Sequence, residues 1–103
     1  MLHFEWDERK NGANEKKHGV DFATAQLVFD DPFCVTFVER ITDAEQRWDA
    51  ISAVENLIVL VVVHTYRGEA IRIISARPAS SHEWRLYAEA AGEEVIWRKK
   101  KGA

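Results

Sequence analysis

The chain has 103 residues, a net charge of −3 and one cysteine, which together exclude several classes of protein. This length predicts one domain over residues 1–103. The lone Cys34 excludes an internal disulfide and a thiolate zinc cluster, and it suits a reducing compartment. The first ten residues lack an apolar signal segment, and the longest apolar run, Leu57 to Val63, is far shorter than the roughly 20 residues that span a bilayer. The sequence therefore predicts a cytoplasmic protein that does not enter membranes.

Two N-terminal helices are predicted from capping residues. Asp7 is expected to cap a helix over Glu8–His18, and Gly19 stands where a helix end commonly takes a left-handed residue. Asp21 is expected to cap a second helix, which should end at residues 30–32 because Pro32 cannot continue it.

In the middle of the chain, short runs rich in apolar residues, separated by brief connections, are typical of β-strands. The short connections between these strands predict an antiparallel meander, and the strand with apolar residues on both sides should be central. A tight turn at Arg67 and Gly68 would place His64 opposite Ile71. After a short strand at Leu2–Trp6, the predicted strands are Cys34–Glu39, Arg47–Val54, Leu57–Thr65 and Ala70–Arg77.

The C-terminal part predicts one more helix and a tail. Ser80 and Glu83 have the spacing of a capping box at the start of a helix that reaches Ala91. For residues 91–103, which end in a basic run, both a flexible tail and an edge strand remain open. The predicted fold class is α+β: an antiparallel meander with two N-terminal helices packed on one face and a C-terminal helix.

Charge is unevenly distributed along the chain. Residues 21–55 contain eight acidic residues and two arginines, whereas residues 64–87 contain four arginines and two glutamates. The negative balance argues against a general nucleic-acid-binding protein, although a local positive face can exist on an acidic chain. Solvated charges scattered over the surface are the alternative interpretation.

The residue types exclude several catalytic chemistries. The four histidines are too dispersed for a metal site, and neither a phosphate-binding glycine loop nor a nucleophilic serine motif is present, so we expect no metal and no cofactor. What remains is a set of arginines, carboxylates and histidines near the last strand and helix. Attack of a 2′-hydroxyl on the adjacent phosphorus of RNA needs a proton acceptor, cations for the phosphoryl oxygens and a proton donor. The set therefore suits cleavage of RNA.

Three segments also carry a family resemblance: FEWDERKNGANEKKHGVDFATAQLVFDDP, VVVHTYRGEAIRIISAR, and the following helix with Glu83 and Tyr87. Over residues 4–88 they resemble the BrnT family of type II toxin-antitoxin systems. The resemblance implies a RelE-like fold, metal-independent endoribonuclease activity that inhibits translation, and a BrnA-like antitoxin. Such antitoxins carry a ribbon-helix-helix domain, which implies a heterotetramer of two toxins and two antitoxins that contacts operator DNA only through the antitoxin.

The predicted site follows from the residues and the resemblance together. Strand alternation places Arg72 and Arg77 on opposite faces unless a bulge lies near Ser75. Glu83 is either the acid or base of cleavage or only part of the capping box. The expected catalytic residues are Arg72, Arg77, Glu83 and Arg47, and the expected substrate-binding residues are Lys17, His18, His64 and Arg85.

Several of these residues have a structural alternative. Lys17 and His18 would also complement the dipole of the first helix, and His64 would also fit as a buried histidine at the sheet margin. The chain departs from the family pattern at Pro78, where members often have a second cation, and in the last helix, where the basic run is reduced to His82 and Arg85; both changes lower the local positive charge. It also has Trp48 where members often have tyrosine. A second function therefore stays open, a non-catalytic partner of a DNA-binding antitoxin that acts only as co-repressor. A structural domain is the third interpretation.

Overall fold

The computed structural model describes residues 2–41, 45–55 and 58–92. The predicted α+β class is confirmed, while Leu57 and the tail beyond Gly92 lie outside the described residues. No helix within these ranges has the length and hydrophobicity to cross a membrane. The elements are β1 (His3–Glu5), α1 (Glu8–His18), α2 (Phe22–Ala25), a 3₁₀ helix (Gln26–Asp30), β2 (Val35–Ile41), β3 (Gln46–Ala53), β4 (Val59–Arg67), β5 (Ala70–Pro78) and α3 (Ser81–Ala91).

One five-stranded sheet has the order β1-β5-β4-β3-β2. Strands β2 to β5 form the predicted antiparallel meander. The sheet as a whole is mixed, because β1 pairs with β5 in parallel. A parallel neighbour requires a long crossover, and α1, α2 and the 3₁₀ helix form part of this connection. The sequence left the pairing of this first strand open, and the structure adds it to the meander as a parallel edge strand.

The hairpin between β4 and β5 differs from the prediction by one residue. Its turn consists of Gly68 and Glu69, and Gly68 takes the left-handed φ of 59° that glycine adopts without steric cost. His64 consequently pairs with Ile73 and not with Ile71. The register then shifts by one residue between Val63 and His64, which leaves Ile74 as the extra residue of a β-bulge.

The two faces of the sheet bury separate apolar clusters. On one face, side chains of the sheet pack with Val20, Phe22, Ala25 and Val28, so we call it the N-terminal face. On the opposite face, Tyr87 and Ala91 of α3 pack on side chains of β3 and β4. The sheet side chains are Ala50, Leu60, Val62, Ile73 and Ala76 in the first cluster and Ile51, Ala53, Val59 and Val61 in the second.

The helix ends follow the sequence signals. Asp7 caps α1 by accepting hydrogen bonds from the backbone N–H groups of Arg9 and Lys10, and Gly19 ends it with a φ of 73°. The second predicted helix is divided: it is α-helical as far as Ala25 and then tightens into the 3₁₀ helix.

Asn14 is a buried link between α1 and β5. Its amide nitrogen donates to the carbonyl oxygens of Val20 at 2.9 Å and Ala76 at 2.7 Å, and its amide oxygen accepts from the N–H of Ala76 at 3.1 Å. Strand β1 pairs with β5 only over Ala70–Arg72. Farther along β5, the Asn14 side chain therefore pairs with the backbone as a neighbouring strand would.

Candidate active site

Arg72 and Arg77 lie on the same face of the sheet. Arg72 pairs with Thr65 and Arg77 pairs with Val61. Thr65 and Val61 are four residues apart on β4, a separation that keeps both on one face. The bulge at Ile74 makes this possible on β5. The two arginines are on the face of the sheet on which α3 packs.

Two side chains of β3 share this face. Asp49 pairs with Val63, which alternates with Val61 and Thr65 along β4. Arg47 is two residues before Asp49 and therefore on the same side. We use the name arginine face for the surface defined by Arg47, Asp49, Arg72 and Arg77.

Arg77 is held by Glu83 in a two-bond ion pair. Its Nη1 and Nη2 donate to the two carboxylate oxygens at 2.7 and 2.8 Å. Glu83 also accepts from the backbone N–H of Ser80 at 2.8 Å, while the Ser80 hydroxyl accepts from the Glu83 N–H, so the predicted capping box is confirmed. The hydrogen bonds from Arg77 are the main reason that the pKa of Glu83 falls to about 2. Such a carboxylate is a weak base, and its geometry suits the positioning of Arg77.

Carboxylates also accompany the other two arginines. Arg72 donates to Glu5 of β1 at 2.7 Å, and the two residues are neighbours in the parallel register. Arg47 Nε lies 3.8 Å from Glu45 Oε1, and the other oxygen of Glu45 lies 3.8 Å from Arg67. The arginine face is therefore a mixed surface in which each cation has a fixed anionic neighbour.

Asp49 differs from these ion-paired carboxylates. Its Oδ1 atom is buried and has no hydrogen-bond partner among the described residues. Burial is the first cause of its raised pKa; the negative charges of Glu39 and Glu83 raise the pKa further, and Arg77 opposes the shift. Asp49 was not among the residues predicted from the sequence. The available signal was a single carboxylate immediately before the stretch Ala50–Ala53, all of which is buried.

Lys17 and His18 do not belong to the arginine face. They occupy the last turn of α1, as expected for cations that complement a helix dipole. His18 lines a pocket together with Val20 and Leu60, which belong to the cluster on the N-terminal face. Pro78, the residue after Arg77, also lines this pocket, so His18 is near the end of β5 but on the face opposite to the arginine face.

His64 is fully buried on the N-terminal face. Its ring packs edge-on against Phe29 at a centroid distance of 4.8 Å and is flanked by Trp48 and Tyr66. Its Nδ1 atom lies 3.2 Å from the Val62 carbonyl oxygen, while Nε2 is buried without a partner among the described residues. Burial lowers the pKa of His64. A side chain without exposed surface has no access to substrate, so this position agrees with the alternative interpretation as a buried histidine.

Arg85, the last predicted substrate-binding residue, is exposed on α3, two residues beyond Glu83. No cluster of three or more His, Cys, Asp or Glu side chains suited to a metal ion occurs within the described ranges. The four predicted catalytic residues are thus gathered at one side of the sheet, whereas the predicted binding residues are spread over both.

Comparisons with known proteins agree with this architecture. The model of a family described as "Ribonuclease toxin, BrnT, of type II toxin-antitoxin system" matches residues 6–83. The crystal structure of the Brucella abortus ribonuclease toxin BrnT is 32% identical in sequence and superposes with a TM-score of 0.62. That match covers 79% of this chain and 100% of the Brucella chain. The search of curated proteins found no significant match.

Proposed function

Since the chain belongs to the BrnT family of ribonuclease toxins of type II toxin-antitoxin systems, we propose that it cleaves RNA internally through its arginine face and thereby inhibits translation. In this reaction a 2′-hydroxyl attacks the adjacent phosphorus and the bond from phosphorus to the 5′ oxygen breaks. The products are a 2′,3′-cyclic phosphate and a 5′-hydroxyl, whose proton comes from solvent.

The observation that carries the proposal is the fixed guanidinium of Arg77. Arginine has five N–H donors in a rigid fork, and Glu83 engages Nη1 and Nη2. Nη1 also donates to the Pro78 carbonyl oxygen at 3.4 Å, so the guanidinium is oriented before substrate arrives. Its Nε–H and the second N–H of Nη2 can then bind phosphoryl oxygens. Preorganised donors of this kind stabilise the negative charge that develops during attack on phosphorus.

Arg72 and Arg47 have supporting roles in the proposal. Both lie on the arginine face with Arg77, so three cations surround one stretch of β4. We assign Arg72 to the phosphoryl oxygens and Arg47 to a neighbouring phosphate. Because arginines can supply the positive charge needed by the transition state, we propose that cleavage requires no metal ion.

Glu83 acts in this proposal chiefly as the group that positions Arg77. Arg85, being exposed on α3, is proposed to contact the RNA backbone. Lys17 and His18 would contribute only if RNA continued around the sheet edge to the end of α1. His64 is omitted from the proposed site because its side chain is buried.

A type II toxin implies an antitoxin partner. We propose that this partner is a BrnA-like protein with a ribbon-helix-helix domain, and that two toxins and two antitoxins form a cytoplasmic heterotetramer. Operator DNA would be contacted only by the antitoxin, in agreement with the net charge of −3 of this chain. We also propose that the fold is of the RelE-like type and that the chain forms one domain.

A specific observation favours a second candidate function. Arg72 and Arg77 are each neutralised by a carboxylate, Glu5 and Glu83 respectively. Such pairing weakens the attraction of the arginine face for RNA, and a protein that acts only as co-repressor with its antitoxin would tolerate it. This function predicts tight binding of the antitoxin without cleavage of RNA.

The deciding experiment is incubation of the purified chain with RNA in the presence of EDTA. We expect cleavage with 2′,3′-cyclic phosphate ends, and a loss of about 100-fold or more in the Arg77→Ala variant. The matched control is Arg9→Ala, which removes an exposed arginine from α1. Intact RNA with the wild-type chain would support the co-repressor function, while equal cleavage by wild type and Arg77→Ala would remove Arg77 from the site.

A further inference from the structure

We propose that Asp49 is the proton acceptor of the cleavage reaction, an inference that rests on the proposed ribonuclease function. The carboxylate would take the proton of the attacking 2′-hydroxyl while Arg77 binds the phosphoryl oxygens. The sequence named Glu83 as the acid or base of cleavage and did not name Asp49.

Asp49 and Arg77 lie on one face of the sheet, on the two strands that flank β4. Asp49, Val63 and Ser75 form one row across β3, β4 and β5, and Arg77 stands two residues farther along β5. Neighbouring strands are about 4.8 Å apart, so β3 and β5 are separated by about 10 Å. A phosphodiester over Val63 would lie between the carboxylate and the guanidinium. Asp49 is partly exposed, so substrate can approach it.

The carboxylates of Asp49 and Glu83 differ in the hydrogen bonds that they accept. Glu83 accepts two bonds from Arg77 and one from a backbone N–H, whereas Asp49 Oδ1 is buried with no partner among the described residues. A carboxylate without stabilising donors accepts a proton more readily than one engaged in an ion pair. The raised pKa of Asp49 agrees with this difference. Of the two carboxylates, Asp49 is therefore the better base.

The buried Oδ1 atom of Asp49 also lowers the stability of the fold, which is expected of a residue retained for catalysis. A buried carboxylate oxygen without a hydrogen-bond partner, such as Asp49 Oδ1, destabilises a folded protein, and asparagine would remove the charge with almost no change of shape. Residues that act in catalysis commonly carry such a cost. A purely structural role would predict the opposite, because a structural carboxylate stabilises the fold through its partners.

The charged groups around Asp49 raise or lower its pKa and so set the pH range in which it loses its proton. The charges that act on its pKa are those of Glu39 on β2, Arg77 on β5 and Glu83 on α3. Arg47 on β3 and Arg72 on β5 share the arginine face with it, and its direct neighbour on β4 is the uncharged Val63. The rate of cleavage should rise with pH as Asp49 loses its proton and should then level off. In the absence of this carboxylate, that rise should disappear.

The test measures single-turnover cleavage of RNA from pH 4 to 8, together with thermal unfolding, for the wild-type chain, Asp49→Asn, Asp49→Glu and the control Asp30→Asn. Asp30 is an exposed carboxylate at the end of the 3₁₀ helix. We expect Asp49→Asn to cleave at least 100-fold more slowly, to lose the rise with pH and to unfold at the same or a higher temperature. Asp49→Glu should recover part of the rate, and Asp30→Asn should retain it.

Three outcomes would overturn the proposal. Asp49→Asn could cleave at nearly the wild-type rate with the same pH dependence, which would leave the ribonuclease function intact and remove Asp49 as base. It could lose activity only together with a lower unfolding temperature, which would make Asp49 structural. A folded wild-type chain that leaves RNA intact would overturn both this inference and the proposed function.

Discussion

Arg72 and Arg77 present their side chains on one face of the sheet although they are five residues apart on a single strand. In a regular strand this spacing would separate them, because successive side chains alternate. The extra residue Ile74 reverses the alternation, and the same shift explains why Ile73 and Ala76, three apart, both enter one buried cluster. The bulge is therefore the local feature that places both arginines on one face of the sheet.

This relationship predicts that the two arginines act together. Arg72→Ala and Arg77→Ala should each slow RNA cleavage, and the double variant should be less impaired than the product of the two single effects. The expected coupling is at least about 0.5 kcal/mol, because residues that share a partner are not additive. Rates of cleavage for the four proteins of the double-mutant cycle give this value.

The control for this cycle combines Arg77→Ala with Arg9→Ala, which alters a side chain on α1. That pair should be additive within about 0.3 to 0.5 kcal/mol. Additivity of Arg72 with Arg77 would contradict a shared phosphate and would assign the two arginines to separate steps of binding.

A second prediction concerns the ion pair between Glu83 and Arg77. The pKa of Glu83 is depressed to about 2 in the folded state, so the pair stabilises the fold above the ordinary glutamate pKa of about 4.5 and this contribution is lost as pH falls towards 2. Glu83→Gln retains an oxygen for the capping box but lacks the charge. We expect it to be less stable than wild type by about 1 kcal/mol at pH 6, and the difference to shrink at pH 3.5.

Denaturant unfolding at the two pH values provides the measurement. Glu89→Gln, an exposed change on the same helix, should not lower stability at pH 6. If Glu83→Gln unfolded at the wild-type denaturant concentration at both pH values, the ion pair would make no net contribution to stability.

Local sequence signals predicted the helices and strands. Most features that the sequence did not predict depend on contacts between residues far apart in the chain. Asp7, Gly19 and the Ser80–Glu83 box act on the backbone within a few residues, and their patterns could be read directly. The parallel pairing of β1 depends on where a crossover returns to the sheet, which no local pattern encodes. From the sequence, a bulge near Ser75 was only the condition under which Arg72 and Arg77 would share a face. Its occurrence at Ile74 depends on the register with β4.

The candidate site divides in the same way. The arginines stood out as cations in an otherwise apolar strand, and a bulge was needed for them to converge. Asp49 could not be selected, because the property that distinguishes it is a buried oxygen without a partner, and such a property arises only when strands, helix and neighbouring charges are assembled. For His64 the sequence left both a substrate contact and a buried histidine open, because its position near a strand end gave no indication of the aromatic rings that enclose it.

A third prediction tests the link that Asn14 makes at the sheet edge. Asn14→Ala would remove three buried hydrogen bonds and leave the N–H and carbonyl groups of Ala76 unpaired. An unpaired buried backbone group is costly, so we expect the free energy of unfolding to fall by about 2 to 4 kcal/mol. Lys16→Ala, an exposed change on the same helix, is the control for helix propensity. If both variants lost the same free energy of unfolding, the hydrogen bonds of Asn14 would contribute no more to stability than the exposed side chain of Lys16 does.

The fourth prediction concerns His64 and the pH dependence of stability. Burial lowers its pKa in the folded state, so the unfolded chain binds a proton first as pH falls below about 6.5. The stabilising contribution of the neutral ring is complete above that pH and is lost below it, at a rate of at most about 1.4 kcal/mol per pH unit. We expect His64→Leu to lack this decline between pH 7 and 5, measured by denaturant unfolding.

The control for this variant is His82→Gln, which alters an exposed histidine of α3 and should leave the decline intact. RNA cleavage by His64→Leu at pH 7 separates the two interpretations of this residue. A buried histidine predicts a rate within about threefold of wild type, since a change of this size is about 0.65 kcal/mol. A large loss of cleavage in a stably folded variant would restore His64 to the substrate-binding residues, because the ring would then have to become exposed when RNA binds.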